Sequence, residues 1–285
     1  MKYEQEEIEE LRSLAQDIAT GLAKFAWHKR EDGVNIEGTK SSSVDIVTEA
    51  DRMIEEYARQ RIAQDRPYDS FLGEETGSAS GYSGLTWIVD PIDGTVNYAY
   101  GIGTCAVSVA VVSGVPEPSL WKPIAGCVAY IGTNDVYSAG YGIGAQKNGQ
   151  AIHVSRQDNL SQALVGTGFG YASSMRKAQG EVVAKIIEHI RDIRRIGAAS
   201  TDLCAVAEGS LDIYYESGLK PWDMAAGLLI VSEAGGVTQN INGGPADNSL
   251  VIAGNEKMVT ALEALLKDAG IKDVIDHNEF LQSIN

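Results

Sequence analysis

Apolar residues recur at Ile8, Leu11, Leu14, Ala15, Ile18 and Leu22, the spacing of one helix face, and predict an amphipathic helix over residues 5–29. A Gly- and Ser-containing stretch, 33–43, then reads as a hairpin or loop. Thr48 followed by Glu49, Ala50 and Asp51 has the chemistry of a helix start, a hydroxyl cap with acids in the first turn, and that helix runs to about Gln64. Beyond it the period shortens. Residues 70–75 predict a short strand ending in carboxylates, and 86–89 a buried strand that stops at Asp90-Pro91. The runs 106–112 and 125–131 are β-rich, separated by a Pro-containing loop over 113–123. Segments 136–139, 144–147 and 152–154 continue a meander with turn glycines between them.

Past residue 155 the texture changes. Strands are expected at 164–167, 211–216 and 250–254, and helices at 181–193, 200–208, 222–234 and 256–267. Strands alternating with helices predict layered α/β structure. The change divides the chain into an N-terminal α+β subdomain, 1–155, and a C-terminal α/β subdomain, 156–285. The tail after about Lys272 carries no signal that assigns it.

A length of 285 residues fits one large α/β unit or two closely packed halves. At 44% hydrophobic and 22% charged residues, the composition is that of a soluble globular protein. The longest apolar runs fall well short of the ~20 residues a membrane span needs, and the acidic N-terminus lacks the layout of a secretory signal. The expectation is a cytoplasmic protein that binds neither membrane nor nucleic acid. A net charge of −16 supports the last point, since phosphate backbones are bound by Lys and Arg. Three separated cysteines without a Cys-x-x-Cys pair predict reduced, buried thiols, and the four histidines show no zinc spacing.

Three acidic features stand apart from surface charge: Gly73-Glu74-Glu75 at a strand end, Asp90-Pro91-Ile92-Asp93-Gly94-Thr95 after a buried strand, and Trp222-Asp223 at a helix start. Asp90 and Asp93 flank a turn stiffened by Pro91, which lets both carboxylates and the Ile92 carbonyl face one point. All-oxygen donors suit a hard cation, Mg²⁺ in particular. Gly94 and Thr95, if they open a helical turn, add backbone N–H groups for an anion. Adjacent cation and phosphate sites are what metal-assisted phosphoryl transfer requires.

At these residues the chain resembles the inositol monophosphatase family, within the Mg²⁺-dependent, lithium-sensitive phosphatases. The resemblance rests on Gly73-Glu74-Glu75, on the run from Trp87 through Asp90-Pro91-Ile92-Asp93-Gly94-Thr95 to Tyr98, and on Trp222-Asp223-Met224-Ala225-Ala226-Gly227. Lys40, the 45–51 stretch, Gly197-Ala198-Ala199-Ser200 and Glu233-Ala234-Gly235-Gly236 support it in family order. The resemblance implies a five-layered αβαβα sandwich, a homodimer, and two or three Mg²⁺ ions. It implies Glu74, Asp90 and the Ile92 carbonyl as ligands of one ion and Asp90, Asp93 and Asp223 of another, with a third near Glu74. Thr95 and Glu74 would activate the attacking water, Asp51 would bond Thr95, and Gly94 and Thr95 would meet phosphate oxygens. Lys40 would lie on a loop near the site.

The implied reaction is hydrolysis of a small polyol's phosphate monoester, inositol 1-phosphate foremost, without a phosphoenzyme. Glu216 and Ala199 match positions that read substrate hydroxyls. Fructose 1,6-bisphosphate, histidinol phosphate and adenosine bisphosphates remain alternative substrates on the same fold. A regulatory binding protein that has lost catalysis is the reading from another class, and it predicts degraded acidic positions.

Overall fold

The computed structural model describes residues 3–39 and 45–283. Lys40 lies outside the described residues. The chain opens with α1 (Gln5–Glu31), whose buried stripe contains Ile8, Leu11, Ala15, Ile18 and Leu22. Strands β1 (Ile36–Thr39) and β2 (Ile46–Thr48) pair antiparallel and lead into α2 (Glu49–Asp65). Eight strands then build one sheet: β3 (Ser70–Gly73), β4 (Gly77–Ala79), β5 (Leu85–Asp93), β6 (Ala106–Gly114), β7 (Trp121–Tyr130), β8 (Val136–Gly140), β9 (Gly144–Lys147) and β10 (Gln150–Ala151). Their spatial order is β10-β9-β8-β7-β6-β5-β3-β4, and a short helix, α3 (Thr95–Ala99), interrupts the chain after β5.

The second sheet has the order β12-β11-β13-β15-β14. It is built from β11 (Leu164–Thr167), β12 (Asp192–Arg194), β13 (Ile213–Glu216), β14 (Val237–Gln239) and β15 (Val251–Gly254). Interleaved with these strands are α4 (Ser173–Ile186), α5 (Ala199–Ala207), α6 (Pro221–Glu233), α7 (Glu256–Ala269) and α8 (Ile271–Ser283).

Side-chain alternation stacks these elements into layers. In β6, Val107, Val109 and Val111 pack into the core beneath α1 and α2, while Ala106, Ala110 and Val112 face the opposite core with α5 and α6. In β15, Val251 and Ala253 join that central core, and Ile252 turns to a third core with α4, α7 and α8. The result is an αβαβα sandwich, with α5 and α6 held between the two sheets. A helix in that position must be apolar all round. In α6 every residue from Met224 to Val231 is buried accordingly. The backbones come close enough that a Cβ on Gly126 of β7 would lie 3.1 Å from Ala226 Cα.

Several expectations are corrected. The helix expected at 181–193 begins instead at Ser173 and gives way after Ile186 to a short 3₁₀ turn and then β12. Its buried stripe, Met175, Gln179, Val182 and Ile186, contains a polar member, and Gly180 weakens the helical pattern further. Strands β12 and β14 lie at the edges of their sheet, and neither contains a fully buried residue. The 113–123 loop is shorter than expected, because β6 runs on to Gly114 and β7 begins at Trp121, leaving 115–120 as the connection. Residue Trp121 already pairs with Gly114, and a bulge opposite Val111 and Val112 accommodates Pro123. Segment 152–154 extends no strand, although Val154 N donates to the Ala234 carbonyl. The unassigned tail forms α8, docked through Ile271, Val274 and Ile275. All three cysteines are buried and free. Among the described residues, no helix is long and apolar enough to cross a membrane.

Candidate active site

Strands β3 and β5 run parallel with Gly73 opposite Val89, so the next residues, Glu74 and Asp90, emerge side by side at their C-terminal ends. Pro91 has no N–H to give the ladder, and the β5–β6 register shifts between Asp90 and Asp93. The bulge delivers both acids to the same end of the sheet. Asp90 is 2% exposed and Asp93 8%. Next, Gly94 adopts φ +85°, a left-handed conformation, and a Cβ there would lie 2.9 Å from Ala198 Cβ. Glycine satisfies both demands.

Thr95 opens α3 with its Oγ1 3.1 Å from the Ile92 carbonyl and 3.3 Å from Asp51 Oδ1. Asp51, fully buried, is itself fixed by the Thr48 amide, which donates to Oδ2 at 2.8 Å. This is a capping box at the start of α2. Asn97 and Tyr98 point away from the cavity chemistry. Asn97 Nδ2 bonds the carbonyls of Thr104 (2.7 Å) and Ile196 (3.0 Å), and Tyr98 OH donates to the Ala26 carbonyl at 2.8 Å. They anchor the turn to α1 and to the approach to α5.

Asp93 reaches across to the central layer. Its Oδ2 accepts from Ser200 N at 2.6 Å and from Ser200 Oγ at 2.5 Å, capping α5. Burial pushes the Asp93 carboxyl up, and these hydrogen bonds hold it down in part. Asp223, the third residue of α6, accepts from Lys220 N at 2.6 Å. Its carboxyl is pushed well up by burial and then by the negative charges of Glu74 and Asp93.

These elements enclose a cavity of about 340 Å³ lined by Asp45, Glu74, Asp90, Ile92, Asp93, Gly94, Thr95, Ala199, Glu216 and Asp223. Every expected site residue is therefore in the cavity wall except Asp51, which stands behind Thr95, and Lys40, which lies outside the described residues. The acids are gathered but not closed. Among the described residues, no three Asp, Glu, His or Cys side chains form a ready cage for an ion. Local donors explain this, since Asp90 Oδ1 accepts from Ile92 N at 3.1 Å while Asp93 and Asp223 hold Ser200 and Lys220.

The far wall is chemically different. Glu216 ends β13 with its Oε2 accepting from Tyr214 OH at 2.5 Å and its carboxyl packed on Gly168, where a Cβ would clash. Burial raises Glu216 to about 7, opposed by the Tyr214 hydrogen bond and the Arg195 charge. Behind it Asp202 is 1% exposed and raised to about 9, by burial first and then by Glu216 and Asp93.

The sequence assigned no site role to Ser200, Arg195, Tyr171, Glu55 or Asp202. Only Ser200 carried a signal, as a hydroxyl in the first turn of an expected helix. Arg195 and Tyr171 line the cavity from loops. Glu55 and Asp202 are charged residues inside helices, indistinguishable in sequence from solvated ones.

The sequence profile of the inositol monophosphatase family matches residues 4–271. The chain is 43% identical over 244 residues to the inositol-1-monophosphatase SuhB of Mycobacterium tuberculosis, covering 79% of this chain and 82% of that protein. To the inositol-1-monophosphatase of Mycobacterium leprae it is 40% identical over 290 residues, 94% of this chain and 97% of the other. Among solved structures, the extragenic suppressor protein suhB from Bartonella henselae aligns with a TM-score of 0.81 at 31% identity, over 90% of this chain and 97% of that one.

Proposed function

Because the chain belongs to the inositol monophosphatase family and is a phosphoric monoester hydrolase, we propose that it hydrolyses the phosphate monoester of a small polyol, inositol 1-phosphate foremost, with Mg²⁺. The observation that carries this reading is the convergence of Glu74, Asp90, Asp93 and Asp223, from three separate segments, on one cavity whose other wall holds Glu216. The donor set fits the ion. All the donors are oxygens, and a dication relieves the repulsion from Glu74 and Asp93 that, after burial, raises Asp223.

Glu74, Asp90, Asp93, Asp223 and the Ile92 carbonyl would hold two or three ions between them. When bound, Mg²⁺ supplies neutralisation of the phosphoryl oxygens and a more acidic water. The remaining work falls to the chain. Thr95 Oγ1 shares its proton between Asp51 and the Ile92 carbonyl, which leaves the oxygen to accept from the attacking water and aim it. Glu74, beside Asp90, takes that water's proton. Gly94 and Thr95 border the phosphoryl group, and Asp93 and Asp223 lie on the leaving-alcohol side. Ala199 and Glu216 hydrogen-bond the polyol, which orients the ester for in-line attack. The chain works as a homodimer in this reading, as its family resemblance implies.

A four-substrate panel tests the proposal: inositol 1-phosphate, fructose 1,6-bisphosphate, histidinol phosphate and adenosine 3′,5′-bisphosphate, each with Mg²⁺ and with or without Li⁺. The highest kcat/KM is expected for inositol 1-phosphate, with Li⁺ inhibiting. Equal or higher efficiency on another substrate moves the assignment to that branch.

A pH dependence follows from Glu216. With its carboxyl raised to about 7, the group is increasingly protonated below that pH, loses its charge, turns one oxygen into a donor and accepts more weakly from substrate hydroxyls. KM is therefore expected to rise as pH falls through about 7, and Glu216→Gln should flatten that limb while raising KM throughout. A KM profile unchanged by the substitution would remove Glu216 from substrate binding. The same raised value lowers folding stability as pH climbs from the ordinary carboxylate range through about 7.

A further inference from the structure

Helix α2 presents a row of three charged side chains, Asp51, Glu55 and Arg59, at i, i+4 and i+8 on one face. Asp51 and Glu55 are both 0% exposed. Two like charges one turn apart cost stability on an isolated helix, so each needs partners. Asp51 has Thr48 and Thr95. Glu55 has the turn that follows β3: its Oε2 accepts from Glu75 N at 2.7 Å, and its Oε1 from Thr76 N at 2.6 Å and Thr76 Oγ1 at 2.5 Å. Arg59 closes the same turn through the Thr76 hydroxyl and the Gly77 carbonyl at 3.1 Å.

Glu74 is bracketed by these contacts. The two amides that follow it are bound to the Glu55 carboxylate. On the other side, Gly73 lies so close to that carboxylate that a Cβ would fall 2.3 Å from Glu55 Cδ. The backbone on both sides of Glu74 is thus fitted to one buried side chain. Asp51 holds Thr95 from a point four residues away, about 6 Å along the same rigid helix axis.

We infer that Glu55 is a positioning residue for hydrolysis, setting Glu74 against Thr95 by anchoring the 73–76 turn to α2. The inference rests on the proposed roles of Glu74 and Thr95. Glu55 touches neither substrate nor ion. It acts through the turn, as groups behind a ligand do when they fix its orientation.

Glu55→Gln keeps the side chain's size but sets an NH₂ against a backbone N–H. Calorimetric titration with Mg²⁺ alone should show affinity weakened by about 10- to 100-fold, and kcat at saturating Mg²⁺ should fall by about the same factor. KM should stay within about twofold, because the polyol contacts are untouched. Thr76→Ala removes one of the three hydrogen bonds and should shift both quantities the same way by less; it carries the test if Glu55→Gln does not fold. Wild-type Mg²⁺ affinity and kcat, with only a lower melting temperature, would reduce Glu55 to a structural residue and overturn the inference. Glu74→Gln separates the two levels. If Glu74→Gln is inactive and Glu55→Gln is not, only the role of Glu55 falls, whereas an active Glu74→Gln removes the premise and the inference with it.

Discussion

Asp223→Asn is expected to lower turnover at saturating Mg²⁺ by at least ~10²-fold, as for loss of a main electrostatic stabiliser, and to raise the melting temperature of the metal-free protein. The two effects share one cause. Burial and the charges of Glu74 and Asp93 push the Asp223 carboxyl well above its ordinary range. For an acid whose folded value is raised, stability is lost as pH climbs from the unfolded value through the folded one. The metal-free protein at neutral pH therefore bears a penalty that an uncharged amide removes. The Asn oxygen can still accept from Lys220 N, so the helix start is kept. Adding Mg²⁺ should reverse the order of melting temperatures, since a ligand that binds only the folded state stabilises it and the variant binds less. Calorimetric scans with chelator and with Mg²⁺, beside steady-state rates, check all three statements. Near-normal turnover in the variant would sink the assignment of Asp223.

Glu74→Gln is expected to lower kcat by about 10²- to 10⁴-fold, the range for loss of a positioned proton acceptor, with a much smaller change in KM. Glu74 follows Gly73 at the end of β3, beside Asp90, and lines the same cavity as Thr95. The amide can still bond a water but cannot take its proton. The loss should therefore appear in the chemical step. A variant within tenfold of wild-type kcat would show that Glu74 is not the base.

The acids were legible in sequence because each follows a strong local signal. Asp90 ends an apolar strand at a proline, and Asp223 sits three residues into a helix after Pro221. Their meeting in one cavity was legible only through family resemblance, since nothing local says that residue 93 caps a helix beginning at residue 199. The layers follow the same division. The near-continuous apolar run of β6 marks a strand buried on both faces but cannot say that α6, more than a hundred positions later, covers one of them. What was misread had a physical reason as well. The stripe of α4 contains Gln179, whose side chain is occupied by Gly170 N at 2.9 Å, so its buried face does not look apolar. Glu55 was invisible because a glutamate one turn from an aspartate reads as solvent-facing charge. Its burial depends on a turn twenty residues away.

The position of α6 has a consequence for how the protein is made. A ribosome finishes β10 at Ala151 long before it reaches Pro221. Through that interval the inner face of the first sheet, with Ile88, Ala110, Val112 and Val128, has no helix to cover it. A nascent chain paused there displays a broad apolar surface, the kind that invites aggregation or capture by a chaperone. Translation speed across residues 152–234 is therefore expected to affect soluble yield. Slowing that stretch with rare codons should increase the insoluble fraction, and co-expressed chaperone should recover it.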